Sequence, residues 1–306
     1  IRPPSEAHSL LIRATLNCPW GRCEFCGSYR GGKFSLRPVA EVARDIAAAQ
    51  AAAEGMIAWA ERIGCRDRLA AVARANGMPW IASGEVRHVA LGDADSPIMK
   101  TADLIAMLTD LRKAFPALER VTTYARAKTI LHKRPEELQA LRDAGLVRLH
   151  VGLESGDDAI LAAMHKGATA QEMVRAGEKA CAAGFELSLY VMPGLGGTAR
   201  WEEHASATAD VLNRINPRFI RLRTLDLAMV QNAPLYEKWQ RGEFSLQRLD
   251  DLVAEVRPLI EELNVTSDLI VSDFALNYYL LDADGKLPED REKILQTLTR
   301  ARGMAE

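Results

Sequence analysis

From residue 86 to residue 223, short apolar segments alternate with longer segments of helical periodicity. The apolar segments have the composition of buried strands and lie at 86–92, 119–125, 147–152, 186–192 and 218–223. The helical segments between them lie at about 101–114, 135–144, 157–182 and 200–214. This alternation is typical of a parallel sheet that is covered by helices. With a sixth strand candidate at 9–17, the sequence predicts an α/β fold of six β/α units.

Two regions depart from the alternation. An Ala-rich helical excursion occupies about 38–80, with a break at Gly64. After residue 225 the pattern fades into a loop, a helix near 246–263, a possible strand at 268–272 and a helix after Pro288. We therefore expect one large domain over 1–225 and a C-terminal extension over 226–306.

Charge and hydropathy narrow the classes of partner. The chain has 306 residues with 39 basic and 41 acidic side chains, so its net charge of -2 predicts no nucleic-acid partner. No stretch reaches the roughly 18 consecutive apolar residues of a spanning helix, and we expect a cytoplasmic protein without a membrane partner. Since residue 1 is Ile, we expect a trimmed form of a longer chain.

Three of the five cysteines lie within nine residues, in the sequence CPWGRCEFC. Cys18, Cys23 and Cys26 can converge on one metal centre if the backbone wraps around it, and three ligands leave a fourth position open. A structural zinc site is an alternative, but it needs a fourth ligand such as His8 or His88. Another alternative is that the three thiols share no metal. Cys65 and Cys181 are isolated and fit buried thiols.

The cysteine loop follows the first predicted strand of six, and Phe25 precedes its last cysteine. In these features the chain resembles the radical S-adenosylmethionine (radical SAM) superfamily, although four residues rather than the commonest three separate Cys18 from Cys23. The resemblance implies a partial (β/α)6 TIM-like barrel with a C-terminal extension. It also implies a [4Fe–4S] cluster on the three cysteines, with SAM bound at the open iron and cleaved to a 5′-deoxyadenosyl radical.

A second segment, HVGLESGDDAILAAMHKGAT at 150–169, strengthens the resemblance. It is similar to the branch that contains oxygen-independent coproporphyrinogen oxidase, the tRNA methylthiotransferases and the elongator catalytic subunit. The resemblance implies that Glu154 contacts SAM, that Ser155 belongs to the adjoining turn and that Lys166 belongs to the same site. A solvated loop acid and a helix-capping lysine are the alternatives.

Three further segments complete the predicted SAM site. MPGLGGT at 192–198, with Leu195, resembles the segment that lies against the adenine. In LGDADS at 91–96, Gly92 allows close backbone approach, and Asp93 or Asp95 could accept from the SAM ammonium; a helix-capping cluster is the alternative. Arg126, just past the third strand, could bind a carboxylate or form a surface ion pair.

The sequence therefore predicts an enzyme that positions one C–H bond of a small substrate, with a flavodoxin or ferredoxin-like electron donor. No catalytic residue is assigned. Two remaining cysteines cannot hold a second cluster, and 17 residues before Cys18 leave no room for a cobalamin domain, so neither is expected. One rival is a non-catalytic iron–sulfur or zinc protein. Another is a barrel enzyme in which Asp93, Asp95 and Glu154 bind a divalent metal.

Overall fold

A computed structural model describes residues 2–280 and 282–302. It contains ten strands: β1 Leu10–Arg13, β2 Thr15–Leu16, β3 Ser35–Leu36, β4 His88–Gly92, β5 Arg120–Tyr124, β6 Leu146–Glu154, β7 Glu186–Val191, β8 Phe219–Leu222, β9 Asp268–Ile270 and β10 Gly285–Lys286. It contains eleven α-helices: α1 Val39–Arg62, α2 Leu69–Ala75, α3 Thr101–Ala114, α4 Ala127–His132, α5 Pro135–Asp143, α6 Asp158–Ala163, α7 Ala170–Ala182, α8 Trp201–Ile215, α9 Pro234–Gln240, α10 Leu249–Glu262 and α11 Arg291–Arg302. All six predicted strands are present.

Eight strands form one sheet, in the order β1-β4-β5-β6-β7-β8-β9-β10. Every neighbouring pair from β1 to β9 is parallel, and only β9 and β10 are antiparallel. The strands are apolar because helices cover the sheet, as parallel sheets require. The prediction of an α/β fold with a partial TIM-like barrel is confirmed. The carboxyl ends of the parallel strands consequently meet at one edge, where such folds place their sites.

The predicted helix at 157–182 is in fact two helices, α6 and α7. His165 (φ 49°) and Gly167 (φ 75°) adopt left-handed backbone conformations that end α6. Thr169 then caps α7, since its hydroxyl accepts from the Glu172 N–H at 3.2 Å while the Glu172 carboxylate accepts from the Thr169 N–H at 3.0 Å. The interruption brings Lys166 back to the end of β6.

The helical excursion contains α1 and α2. Val42, Ile46, Ala53 and Ala60 form the buried stripe of α1, at the spacing of an amphipathic helix. The C-terminal segment adds β9 and β10 to the β8 edge and packs α10 against α8 and α11. The division of the chain at residue 225 stays a prediction, and residues 303–306 lie outside the described part. Within the described ranges, no helix is long and apolar enough to cross a membrane.

Candidate active site

A cavity of about 400 Å³ opens at the carboxyl ends of the parallel strands. Its wall combines the loop after β2, residues at or just beyond the ends of β5 to β8, and the segment after β9. Six residues that the sequence predicted for the site lie on this wall: Cys18, Cys23, Cys26, Arg126, Glu154 and Lys166. The fold therefore brings together side chains that are up to 148 positions apart, from Cys18 to Lys166.

The cysteine loop is anchored on both sides. Phe25 is buried in a small apolar cluster with Ile160, Met164, Leu195, Leu225, Leu227 and Leu235. The buried carboxylate of Glu24 lies 2.9 Å from His165 Nδ1 and 3.1 Å from Lys238 Nζ in α9. The loop is thus held between the turn after α6 and the C-terminal extension.

All three thiols of the loop are free and half-buried. Burial, the largest cause, acts together with the nearby Glu154, Cys26 and Cys18 to raise the pKa of Cys23 to about 11, against the opposing effect of Lys166. Metal binding would therefore have to displace a proton from this thiol.

A [4Fe–4S] cluster fits the thiols better than a single ion does. No three His, Cys, Asp or Glu residues in the described ranges converge closely enough to hold one metal ion. A zinc ion needs four ligands around one atom, whereas in a cluster each thiolate binds a different iron. Three cysteines on one cavity wall, without a fourth protein ligand among the described residues, suit the second arrangement.

Glu154 and Lys166 form an ion pair inside the cavity, with Nζ and Oε1 2.8 Å apart. Glu154 ends β6 in a left-handed conformation, at φ 65°, which turns its side chain back over the strand. A Cβ on Gly152 would lie 2.0 Å from Glu154 Oε1, so the pair requires glycine there. Burial lowers the pKa of Lys166, but the charges of Glu154 and Cys23 outweigh it and the pKa is raised. Lys166 is therefore a cation in the wall.

Arg126 follows β5, and its guanidinium carbon lies 4.9 Å from the centre of the Trp20 ring. Trp20 is itself held by a hydrogen bond from Nε1 to the His165 carbonyl, at 2.7 Å. No carboxylate of the described chain forms a salt bridge with Arg126, so its charge is available to an anionic group in the cavity.

Gly92, Asp93 and Asp95 are placed beside the cavity, and between the two acids Ala94 reaches the wall. Asp93 is fully buried and accepts from the Arg13 guanidinium and from the Asn17 N–H, the latter at 2.9 Å. Burial raises its pKa, but these hydrogen bonds outweigh burial and lower it.

Asp95 is also fully buried and accepts from the Thr129 hydroxyl and the Arg126 N–H, at 2.5 and 3.2 Å. Burial raises its pKa to about 6. Its side chain does not cap the short 3-10 helix at Ser96–Ile98. Both acids hold the loop after β4, and Glu154 is the only acid on the described cavity wall.

Ser155 and Leu195 also lie behind the wall. The Ser155 hydroxyl accepts from the Asp157 N–H at 3.0 Å, and Asp157 caps α6 by accepting from the Ile160 N–H at 2.9 Å. Leu195 packs in the apolar cluster around Phe25. The predicted contacts of these two residues with SAM stay predictions.

The sequence did not single out four of the wall residues as site residues: Tyr124, Tyr190, Arg223 and Phe274. The rings of Tyr124 and Tyr190 have centres 6.1 Å apart, and the Arg223 guanidinium carbon lies 4.9 Å from the centre of the Tyr190 ring. The one available signal was the pair of arginines at the end of the apolar strand β8, Arg221 inside it and Arg223 just after it, since charged residues are rarely buried without a role. Phe274, beyond the predicted barrel, carried none.

The geometry agrees with comparisons to known proteins. Residues 66–207 match the radical SAM superfamily, from the segment before α2 to near the middle of α8. Methylornithine synthase (PylB) superposes with a TM-score of 0.52 over 97% of this chain and 86% of its own, at 13% identity. HydG, a maturase of the [FeFe]-hydrogenase, gives 0.50 over 96% and 57%, at 14% identity. At these identities the likeness is one of fold.

Other solved structures are much longer than this chain. It spans 46% of the Elp3 chain from the archaeon Methanocaldococcus infernus, which has 15% identity, a TM-score of 0.48 and a match over 60% of this chain. No curated protein sequence matches the chain. Over residues 66–207 and in its barrel fold the chain is therefore similar to the radical SAM superfamily, whose enzymes work with a [4Fe–4S] cluster and SAM.

Proposed function

We propose that Cys18, Cys23 and Cys26 hold a [4Fe–4S] cluster with one open iron, and that SAM binds beside it in the same cavity. When bound, the cluster supplies one electron for the reductive cleavage of SAM to a 5′-deoxyadenosyl radical, which takes a hydrogen atom from a small substrate. The observation that carries the proposal is the placement of all three thiols, Glu154 and Arg126 on one cavity wall.

The charges on the wall suit the amino-acid end of SAM. Glu154 is an acceptor for its ammonium, and Lys166 holds that carboxylate in place. Arg126 carries an uncompensated charge for its carboxylate, and a guanidinium can bind a carboxylate through two parallel hydrogen bonds. The remaining wall is largely aromatic and apolar, which keeps water away from a reactive radical.

The electron donor that we expect is a flavodoxin or a ferredoxin-like protein. All five cysteines are free thiols, as is usual in a reducing compartment such as the cytoplasm.

Anaerobic reconstitution with iron and sulfide tests the proposal. The protein should bind about four irons and, with dithionite and SAM, release 5′-deoxyadenosine. Cys18→Ser, Cys23→Ser and Cys26→Ser should each lose both properties. Cys65→Ser and Cys181→Ser are matched controls outside the cavity and should keep both. A colourless protein with stoichiometric zinc would contradict the proposal, as would loop variants that retain the cluster.

A further inference from the structure

One terminal nitrogen of Arg223 has no hydrogen-bond partner among the described residues, although the residue is only 9% exposed. It follows β8 and lies on the cavity wall. Its Nη1 donates to Asp273 Oδ1 at 2.6 Å and to the Leu222 carbonyl at 2.9 Å. Its Nη2 is buried and meets no acceptor in the part of the chain that the structure describes. A buried donor left unpaired is costly, so an acceptor from outside the chain would be favoured here.

The charge around Arg223 is not balanced. Asp273 also pairs with Arg221, whose Nε donates to the Ser188 hydroxyl at 3.0 Å. Two buried guanidinium groups thus share one carboxylate, which leaves one net positive charge at this end of the cavity. The wall's own acid, Glu154, is already paired with Lys166. One uncompensated charge matches a monoanion.

Aromatic rings surround the free nitrogen. The guanidinium carbon lies 4.9 Å from the centre of the Tyr190 ring and 5.1 Å from that of Phe274. Met192 adds an apolar surface to the same wall. Because Nη2 is shielded from water, a neighbouring side chain has to shift when a ligand reaches it. These surroundings suit a ligand with an apolar body and one charged end.

Arg223 belongs to a different strand end from each residue assigned to SAM. It follows β8, whereas Arg126 follows β5 and Glu154 ends β6, two neighbours along the sheet from β8. Arg126 can serve the carboxylate of SAM, so Arg223 remains for the second reactant.

We propose that the substrate of this enzyme is a small organic carboxylate with an apolar body, and that Arg223 binds its carboxylate group. The substrate's hydrocarbon part lies against Tyr190 and Phe274, with its C–H bonds facing the cavity. This inference rests on the proposed function, because it assigns the substrate of the same cavity.

Binding of model compounds tests the inference on the reconstituted protein with SAM present. The probes are phenylacetate, 3-phenylpropionate and 4-phenylbutyrate, the amide of each acid, and phenyl phosphate, with affinity measured by saturation-transfer NMR. At least one acid should bind roughly tenfold or more tightly than its amide, the usual effect of a charged hydrogen bond. Arg223→Gln should abolish this preference, and Arg223→Lys should keep part of it.

Two further variants supply the controls. Arg218→Gln changes an exposed arginine just before β8 and should keep the preference for the acid. Asp273→Asn removes the carboxylate that Arg221 and Arg223 share, and this variant should show a larger preference for the acid over its amide. Circular dichroism checks that each variant is folded.

Three results would overturn the inference: equal binding of acids and amides, an unchanged preference in Arg223→Gln, or tighter binding of phenyl phosphate than of every acid. The same samples are assayed for 5′-deoxyadenosine. Acid selectivity without SAM cleavage would refute the proposed function and with it the substrate assignment, whereas SAM cleavage without acid selectivity would refute this inference alone.

Discussion

His204 in α8 and Glu255 in α10 form a buried pair, with Nδ1 and Oε1 2.7 Å apart and both side chains 1% exposed. The other ring nitrogen of His204, Nε2, lies 3.1 Å from the carbonyl oxygen of Glu154. Both neighbours are acceptors, so the imidazole donates from both nitrogens and is protonated. Burial lowers the pKa of His204, but the hydrogen bond and charge of Glu255 outweigh it and the pKa is raised. Through this pair, α10 supports the turn that carries Glu154.

Breaking this pair should destabilise the fold strongly. His204→Gln or Glu255→Gln leaves a buried group without its charged partner, which typically costs about 3–5 kcal/mol. The free energy of unfolding, measured by urea denaturation at pH 6, checks this. Glu203→Gln changes an exposed neighbour in α8 and should alter stability by less than about 0.5 kcal/mol. A loss in His204→Gln no larger than in this control would contradict the assignment.

The same pair predicts a pH dependence. Since the folded pKa of His204 is above its unfolded value near 6.5, its contribution is complete below about pH 6.5 and is lost as the pH rises through the folded value. The stability difference between wild type and His204→Gln should therefore shrink from pH 6 towards alkaline pH. A difference that grows over this range would show that the ring is neutral in the folded state.

Asp95 and Asp93 should respond to pH in opposite directions. Burial raises the pKa of Asp95 to about 6, so ionisation destabilises the fold as the pH rises from about 4 to above 6. Asp95→Asn should be more stable than wild type at pH 7.5, by about 1–3 kcal/mol, with the gain vanishing near pH 4. For Asp93, burial raises the pKa, but hydrogen bonds such as those from Arg13 and Asn17 have the larger effect and the pKa is lowered overall. Asp93→Asn should therefore be less stable than wild type at pH 7.5, and the difference should disappear in acid. Urea denaturation of both variants measures the change in the free energy of unfolding. A change in the same direction in both variants would contradict this prediction.

Gly156 should tolerate no side chain. A Cβ there would lie 2.1 Å from the carbonyl oxygen of Ala207 in α8, and backbone cannot move aside as a side chain can. Gly156→Ala should cost about 3 kcal/mol, at the upper end of overpacking. Gly55→Ala is the matched control, because this exposed glycine lies inside α1 with no atom within 4 Å of its Cβ position. It should gain about 0.5–1 kcal/mol. Thermal unfolding of both variants measures these changes in stability. A Gly156→Ala variant as stable as wild type would contradict the prediction.

The strands were predictable because burial on both faces leaves a continuous apolar run, as in VALG at 89–92 of β4. The break between α6 and α7 was missed because the residues around it, apart from Gly167, have ordinary helical character. Its left-handed turn is supported by a distant contact, with Trp20 packed where a Gly167 side chain would lie.

The direction in which the loop side chains point could not be predicted from the sequence. Asp93 and Asp95 have the chemistry of ligands, yet hydrogen bonds with Arg13 and Thr129 turn them away from the cavity. Arg223 meets Phe274 only because β9 pairs with β8, a long-range contact that no local pattern encodes.

The central claim is that the three-cysteine centre has an open iron to which SAM binds. The most direct test is the electron paramagnetic resonance spectrum of the dithionite-reduced protein, recorded with and without SAM. SAM should shift the g values of the cluster signal, because it adds ligands to one iron. A cluster signal that SAM leaves unchanged, at concentrations far above those that saturate other enzymes of the superfamily, would contradict the account and indicate a cluster for structure or electron transfer.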